Sequence, residues 1–340
     1  MGNKPITIKD IARELNLSPS TVSRALRNFP GIAQETIDQV RLYANQHHYN
    51  PNAVALSMQQ GKTNIIGVIV PQVIHFFFSS VIDGMESVAE ENGYSIILCQ
   101  SNESYESEVK KVHTLLSLRV CGILCSLSKE TKLYDHFQEV IDCKTPLIFF
   151  DRICTGLMTD KVVVDDYNGA YSATEYLIKT GCKRIAYYGA PLNMEIAKNR
   201  RNGYIDALLK HQLPVDPSLI YICDDYEGAR HLTDEVLKKE PVPDAFFAVN
   251  DQTASGIMKS VKRAGYRVPQ DISICGFSDG HIAQNTDPQL TTVNQHAFEV
   301  GEAAMQMMIK RVKGEKIEGN YMSRVVKTQL VIRESTRNIE

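Results

Sequence analysis

The sequence contains no uninterrupted apolar run long enough to cross a membrane. Its longest strongly apolar stretch, residues 65–78, is broken by Pro71, Gln72 and His75, whereas a membrane span needs about 18 consecutive apolar residues. A secretory leader is also missing, because the first 16 residues are charged and periodic where a leader has an apolar core. We therefore expect a cytoplasmic protein with no membrane segment.

Motifs of the common enzyme and metal-site classes are missing as well. No glycine-rich nucleotide loop, G-x-S-x-G elbow or H-E-x-x-H helix occurs, and none of the nine histidines has nucleophile–base spacing. Cys121 and Cys125 are four residues apart, but no His or second Cys pair completes a zinc spacing around them. These absences predict that the protein is not an enzyme and holds no metal or other cofactor.

The eight cysteines follow the pattern of reduced thiols. Most of them lie within apolar runs such as SIILC and ISICG, as the buried cysteines of cytosolic proteins do. We therefore predict that all eight are structural thiols: residues 99, 121, 125, 143, 154, 182, 223 and 275.

The composition is that of a soluble globular chain, but its charge is unevenly distributed. The 340 residues are 43% hydrophobic and 23% charged, which fits two or three domains and excludes collagen, disorder and coiled coil. Residues 1–62 hold seven Lys and Arg against four Asp and Glu, a net of +3, in a chain whose total net charge is −3. A basic head on an acidic body suits contact with a polyanion, although a solvated basic face gives the same count.

Three short helices are predicted in the basic head. Apolar residues recur at helical spacing from Ile8 to Leu15 after an N-cap at Thr7. Ser18 and Pro19 begin a second helix as its N-cap and first residue. A third amphipathic helix at residues 34–46 completes a domain of about 50 residues, near the lower limit for independent folding.

The first two helices form the pattern of a helix–turn–helix motif. About three residues join them, and the second helix is small and polar at its start, with Arg24 one turn on. Pro19, Ser20 and Arg24 are predicted to face base edges, where the Arg24 fork suits guanine. Three hydroxyl side chains are better placed for phosphates: Ser18, Thr21 and Ser23. The alternative is an ordinary amphipathic helix pair with Arg24 in solvent.

A short apolar segment, NAVALSM, follows the head. It is barely two turns long, so a helix there is marginal alone and suited to ordering against a partner such as the DNA minor groove. The stretch TIKDIARELNLSPSTVSRALRN, followed by YNPNAVALSM, resembles the headpiece and hinge of the lactose/galactose repressor (LacI/GalR) family. In that resemblance Met58 replaces the hinge leucine that wedges into a central CpG step, and Leu56 replaces a polar or basic residue of many relatives.

The resemblance implies a set of DNA contacts in the head and hinge. It assigns them to Thr7, Ser18, Pro19, Ser20, Thr21, Ser23, Arg24, Asn28, Tyr49, Asn52, Ala55 and Met58.

From residue 63 the pattern changes to alternating strands and helices, which indicates parallel sheets with helices on both faces. The predicted strands form two series: NIIGVIV, YSIILC, GILCSL and PLIFF, then RIAYYG, LIYIC, AFFAV and ISICGF. The predicted helices lie near residues 79–92, 106–118, 130–142, 168–180, 195–211, 227–239 and 252–264. We predict two similar doubly wound lobes with a ligand cleft between the carboxyl ends of their strands.

Aromatic, acidic, amide and guanidinium side chains follow the predicted strands. Side chains of these types bind polyhydroxylated rings, by stacking on the ring and by hydrogen bonds to vicinal hydroxyls. Asp224, Asp225 and Asn250 also stand at strand ends. The candidate effector residues are His75, Phe77, Phe78, Asp151, Arg152, Arg200, Tyr226, Asp251 and Gln295. Helix capping by Asp251 and core packing by Phe76 or Phe78 are the alternatives.

This body resembles the family's core, which is of the ribose-binding-protein type. The resemblance implies sugar stacking by Phe77 and Phe78 and a pocket wall at Tyr226. It makes the Asp, Arg and Gln candidates polar ligands. His75 replaces the usual Asn or Ser beside the aromatics, so the effector class of one relative does not transfer directly.

The predicted fold is an N-terminal all-α helix–turn–helix domain followed by an α/β core of two doubly wound lobes, like a periplasmic binding protein. We predict a DNA-binding headpiece at residues 1–50, a hinge helix and linker at 51–62, and an effector-binding and dimerisation core at 63–340. The expected lobes are an N-lobe at about 63–161 plus 294–323 and a C-lobe at about 162–293 plus 324–340.

The predicted function is a sequence-specific DNA-binding transcriptional regulator, a repressor controlled by a small-molecule effector such as a sugar or sugar derivative. Two heads of a homodimer would read a pseudo-palindromic operator, and nothing after residues 333–336 resembles the tetramerising tail of some relatives. Whether the effector releases DNA or promotes binding stays open. The alternatives are a cytosolic sugar-binding protein and a regulator that answers to a protein corepressor.

Overall fold

The chain folds into two units, Met1–Thr63 and Asn64–Glu340. The computed structural model describes residues 6–47, 49, 63–315 and 321–339. The predicted hinge at residues 51–62 lies outside the described residues.

The first unit contains the three predicted helices: α1 (Ile8–Glu14), α2 (Pro19–Leu26) and α3 (Gln34–Gln46). The Thr7 side chain accepts a hydrogen bond from the Asp10 amide, and the Asp10 carboxylate accepts one from Thr7 in return, which satisfies two amides at the start of α1. Ser18 caps α2 through the Thr21 amide. The amphipathic faces predicted from the sequence meet in a small apolar core.

The first sheet of the second unit has six parallel strands in the order β11-β5-β4-β3-β1-β2. Its strands are β1 (Ile65–Val70), β2 (Ser95–Gln100), β3 (Gly122–Cys125), β4 (Leu147–Phe150), β5 (Asp160–Val164) and β11 (Ser323–Val326). The helices between them are α4 (Phe76–Glu91), α5 (Tyr105–Ser117) and α6 (Asp135–Asp142). The third predicted helix begins five residues late, because Ser128 and Thr131 bind the buried Glu108 instead of continuing a helix.

The second sheet has four parallel strands in the order β7-β6-β8-β9. Its strands are β6 (Ile185–Gly189), β7 (Ile220–Ile222), β8 (Ala245–Ala248) and β9 (Ser273–Cys275). The surrounding helices are α7 (Asp166–Lys179), α8 (Glu195–Lys210), α9 (Tyr226–Val236), α10 (Asp251–Arg263) and α11 (His281–Asn285), with a 3₁₀ turn at Pro217–Leu219. These two sheets confirm the prediction of two doubly wound lobes.

The chain passes between the lobes in three places. After β5 it enters the second lobe, and after β10 (Thr292–Asn294) it returns as α12 (Ala297–Lys313). After β11 it crosses again into β12 (Gln329–Val331), which pairs antiparallel with β10. Strands β5 and β11 each run three residues beyond the expected crossing points at 161 and 323.

Helix α12 packs closely against α4 in the first lobe. A Cβ atom at Gly84 would collide with the Phe298 carbonyl, and one at Gly301 would collide with the Val81 carbonyl. The close approach of the two helices therefore requires glycine on each. This close packing fixes the position of α4, whose first turn lines the cleft.

Seven of the eight cysteines are at least partly buried, and all eight are free thiols. Cys143 is exposed, so the prediction that every thiol is a buried structural one is wrong at this position. The reason is local, because Cys143 ends the short amphipathic helix α6 at the surface. Within the described ranges, no helix combines the length and apolarity that a membrane crossing requires.

Candidate functional site

The surface of α2 carries the predicted DNA-contact side chains. Ser18, Pro19, Ser20 and Arg24 are exposed, whereas Val22 on the opposite face is fully buried in the head core. The sequence places this small polar face at the start of the helix because the apolar residues that hold the helix recur on the other side. The apolar face of α2 thus fixes the helix in the head core, and its polar face is open to solvent.

Hydrogen bonds within this face preorganise it. The Ser18 hydroxyl lies 2.7 Å from the Ser20 hydroxyl and 2.8 Å from that of Thr21, besides capping the helix. The Arg24 guanidinium carbon is 5.7 Å from the centre of the exposed Phe29 ring. The Arg24 guanidinium therefore lies within cation–π distance of the Phe29 ring.

The other head candidates have different environments. Asn28 is exposed and has a left-handed backbone with φ +52°, just beyond α2. Tyr49 is half-buried against the head core, and burial raises the pKa of its hydroxyl. Thr7 is exposed but engaged with Asp10, and Ser23 is half-buried. Asn52, Ala55 and Met58 lie outside the described residues.

A cleft of about 910 Å³ opens between the carboxyl ends of the strands of the two lobes. Eight of the nine candidate effector residues line it: His75, Phe77, Phe78, Asp151, Arg152, Arg200, Asp251 and Gln295. These residues come from elements distant in sequence, and the crossover topology brings their strand ends to one place.

Tyr226 does not line the cleft, so its assignment to the pocket wall is wrong. Asp225 caps α9 through the Gly228 amide at 2.8 Å, which makes Tyr226 the first helical residue. Its backbone carbonyl packs against Gly256 of α10. Asp224, one residue before the cap, lines the cleft in its stead.

Aromatic side chains form the N-lobe side of the cleft at the start of α4. Phe77 and Phe78 are almost fully buried, with their rings edge to face at 5.4 Å, and both belong to the N-lobe core. Phe77 and Phe78 therefore belong to the hydrophobic core and also line the cleft. The His75 Nε2 lies 2.8 Å from Gln72, and burial together with the nearby Arg152 lowers the pKa of its imidazole.

Arg152 is held beside Phe78 by a carboxylate that the sequence did not nominate. Its Nη1 donates to both Glu103 oxygens, at 2.9 and 2.8 Å, and its guanidinium carbon is 5.6 Å from the Phe78 ring centre. Asp151 beside it is 4% exposed and has φ +57°. Burial raises the pKa of Asp151 to about 6, although Arg152 and Arg200 lower it.

Arg200 forms the C-lobe floor of the cleft. Its Nε donates to Asp166 at 2.7 Å, its Nη1 donates to the Val249 carbonyl at 2.7 Å, and its guanidinium lies 3.9 Å over the Phe277 ring. Burial raises the pKa of Asp166, but the adjacent guanidinium opposes that rise.

Asp251 has a different role from the helix cap considered as its alternative. Asn250 caps α10 through the Thr253 amide at 2.7 Å. Asp251 instead accepts hydrogen bonds from the Gly280 amide at 2.9 Å and the Thr292 hydroxyl at 2.5 Å. It joins three C-lobe segments at the cleft, and burial raises the pKa of its carboxyl to about 6.

Several cleft residues escaped the sequence-based candidates, among them Glu103, Lys129, Met194 and Ser278. Glu103 and Lys129 follow β2 and β3, so the strand-end rule, applied to every strand, would have found them. Ser278 follows β9 and donates to Gln295 at 2.9 Å. Met194 has no such signal, because it lies in the longer loop that leads to α8.

Comparison with known proteins gives a consistent result. Residues 7–52 match bacterial regulatory proteins of the lacI family, and residues 174–336 match the periplasmic binding protein-like domain. The HTH-type transcriptional repressor PurR of Vibrio atlanticus is 33% identical over 318 residues, which are 92% of this chain and 93% of that protein.

Solved structures of transcriptional regulators are similar to this chain over nearly its whole length. A lac repressor dimer bound to operator and an anti-inducer superimposes with a TM-score of 0.88 at 25% identity, over 98% of this chain and 100% of that one. The transcriptional regulator CelR in complex with cellobiose gives a TM-score of 0.74 at 25% identity, over 97% of this chain and 99% of that one.

A helix–turn–helix head joined to a two-lobed core with a polar cleft defines a DNA-binding transcriptional regulator with an effector-binding domain. Proteins of this class regulate transcription and are not enzymes. The chain belongs to the lacI family of bacterial regulatory proteins.

Proposed function

We propose that the protein is a cytoplasmic repressor that binds a pseudo-palindromic operator as a homodimer and responds to a neutral sugar or sugar derivative in the cleft. The neighbouring lac repressor structure is a dimer on its operator, and the PurR relative is a repressor. The observation that carries the DNA-binding part is the exposed polar face of α2, anchored by buried apolar residues behind it.

In this proposal the headpiece is residues 1–50, the hinge is 51–62 and the core is 63–340. Pro19, Ser20 and Arg24 read base edges. The remaining proposed contacts position the head on the phosphates or enter the minor groove: Thr7, Ser18, Thr21, Ser23, Asn28, Tyr49, Asn52, Ala55 and Met58.

The charge of the cleft favours a neutral effector. Six carboxylates line it, from Asp83, Glu86, Glu103, Asp151, Asp224 and Asp251, against the three cations Lys129, Arg152 and Arg200. Each cation already has a carboxylate partner within 3 Å, namely Asp224, Glu103 and Asp166 in turn. A bound phosphate would be repelled by this excess of carboxylates, and each lining cation is already paired with a carboxylate. A hydroxyl group, by contrast, can hydrogen-bond to a carboxylate or to a cation.

Aromatic and apolar groups complete the proposed effector site. His75, Phe77 and Phe78 lie on one side of the cleft, and Met194 and Val249 lie on the other. They would bury the C–H faces of a ring while Asp151, Arg152, Arg200, Asp251 and Gln295 bind its hydroxyls. The complex of the similar regulator CelR with cellobiose supports a carbohydrate as the class of effector.

A paired thermal-shift screen tests the effector class. Neutral sugars are compared with their own phosphates, for example ribose with ribose 5-phosphate, and a ligand at 100-fold excess over its Kd should add about 2.7 kcal/mol to stability. Compounds that shift the melting temperature are then added to a gel shift on operator DNA. We expect neutral members to act and their phosphates to fail. A response confined to phosphates would refute the proposed class, and no response to any sugar would favour a protein corepressor.

A further inference from the structure

The two lobes contact each other on both flanks of the cleft. The C-lobe sheet order β7-β6-β8-β9 places Asp224 and His281 after opposite edge strands. Lys129 Nζ of the N-lobe lies 2.6 Å from the Asp224 carboxylate on one flank. On the other, the Phe76 ring meets the His281 ring edge to face at 4.9 Å. The cleft is thus bounded on each side by side chains from both lobes.

The flank at Lys129 has a second bond between the lobes. Asn193, in the C-lobe loop before α8, donates its side-chain amide to the Lys129 backbone carbonyl at 2.7 Å. The Lys129 and Asp224 side chains are 33% and 19% exposed, so water screens their attraction only in part. One residue therefore carries an ion pair and a backbone hydrogen bond across the same gap.

A buried carboxylate, that of Glu108, holds the loop that carries Lys129. Glu108, with no exposed surface, accepts hydrogen bonds from the Ser128 amide at 2.7 Å, the Ser128 hydroxyl at 2.9 Å and the Thr131 hydroxyl at 2.7 Å. Its fourth contact is His136 Nε2 at 3.1 Å. These bonds all lie within the N-lobe and do not depend on contact with the C-lobe, so little further entropy is lost when Lys129 reaches Asp224.

Asp224 is also held in place on its own lobe. Its backbone carbonyl accepts a hydrogen bond from the Asn250 side chain at 2.9 Å, and Asn250 itself caps α10. The next residue, Asp225, caps α9. Both partners of the ion pair therefore sit on segments tied to the secondary structure of their lobes.

Glu103 connects this flank to the effector site. One of its oxygens accepts the Lys129 amide at 2.8 Å, and both oxygens bind Arg152 in the cleft wall. Asn102 and Glu103 both have left-handed backbones, with φ +54° and +62°. Such conformations are unfavourable for residues other than glycine and persist where surrounding contacts impose them.

We propose that Lys129, Asp224 and Asn193 form a latch that holds the two lobes together without an effector, and that Glu103 positions it relative to Arg152. All four are positioning residues. A regulatory consequence of the latch rests on the proposed function, because it needs an effector that acts on lobe closure. The latch itself does not, because it can be tested on effector-free protein.

The test is hydrogen–deuterium exchange of the effector-free full-length protein, read on residues 126–131, 190–196 and 278–282. Lys129→Met removes the charge and keeps the aliphatic stem, and Asp224→Asn removes the partner. Each is expected to raise exchange in these segments about two- to fivefold, the range of a partly screened ion pair. The exchanged pair, Lys129→Asp with Asp224→Lys, should return exchange most of the way to the original level.

Lys132→Met is the matched control, because Lys132 is an exposed lysine of the same loop. It should leave exchange unchanged. Exchange in Lys129→Met equal to that of the original protein or of the control would overturn the latch, as would an exchanged pair no slower than the single variants. If Lys129→Met fails to fold, Asp224→Asn and the exchanged pair make the same test. A failed latch leaves the sugar screen unaffected, so the two proposals fail separately.

Discussion

Replacing Asp151 with asparagine is expected to stabilise the protein at alkaline pH. The carboxylate is 4% exposed, receives a 3.4 Å hydrogen bond from Ser126, and lies 3.8 Å from the Arg152 Nε. Burial outweighs these attractions and raises its pKa from the ordinary 3.8 to about 6. Asparagine has nearly the same shape, and it tolerates the left-handed backbone of this position better than most residues do.

The size of the effect follows from the two pKa values. Because the folded protein binds the proton more tightly than the unfolded chain, this group's contribution is complete below pH 3.8 and is lost as the pH rises through 6. The gap corresponds to about 3 kcal/mol at pH 8, about half of that near pH 5, and almost nothing at lower pH. An amide has no such dependence, so the advantage of Asp151→Asn should grow with pH by these amounts.

Urea unfolding of the effector-free protein, followed by far-UV circular dichroism across this pH range, measures the difference. Asp287→Asn serves as the control, because the same chemical change is made on a fully exposed side chain. An Asp151→Asn advantage independent of pH, or a loss of stability at pH 8, would refute the reasoning. It would mean that Arg152 and Arg200 hold the ionised carboxylate more strongly than burial opposes it.

Three further changes test the head and the cleft. Arg24→Ala should weaken specific operator binding by about 1–3 kcal/mol and relax one symmetric base preference; an unchanged consensus on a randomised library would remove Arg24 from base readout. Ser18→Ala should cost the head about 1 kcal/mol through loss of the α2 cap, visible as faster amide exchange in that helix. Asp251→Ala should retain operator affinity in a gel shift but abolish the effector response, because it releases Gly280 and Thr292 at the cleft; a normal response would limit Asp251 to a structural tie.

The secondary structure was predictable because its signals are local. Periodicity placed the helices of the head, and short apolar runs placed β1 to β4 and β6 to β9. The strands β5 and β11, which complete the first sheet, were not predicted. Capping was equally readable, since Thr7 and Ser18 bond to amides three residues along the chain. The error at residues 130–134 has a non-local cause, because a helical pattern there loses to hydrogen bonds with Glu108, more than 20 residues away in sequence.

The sequence predicted cleft residues only where the end of a strand places them at the cleft. A residue after a parallel strand reaches the cleft without further information, which explains His75 and Asp151. Gln295 follows β10, a strand of the antiparallel pair that joins the lobes. Strand ends do not show which of these residues bond to one another, and the Glu103–Arg152 pair is an example. The prediction for Tyr226 was wrong because Asp225 caps α9. Tyr226 is therefore the first residue of that helix and not part of the loop that lines the cleft.

Most polar groups at the cleft already have hydrogen-bond partners within the protein. Few of them are therefore free to select an effector. Asp251 binds two donors, and Arg200 uses two of its three nitrogens on protein acceptors. By contrast, the Arg152 Nε is buried with no hydrogen-bond partner among the residues that the structure describes. A buried donor without a hydrogen bond costs about 1–3 kcal/mol, and the Asp151 carboxylate 3.8 Å away offsets only part of that cost. An effector that satisfied Arg152 would recover that energy only when bound, and through Glu103 it would act on the carboxylate that positions Lys129.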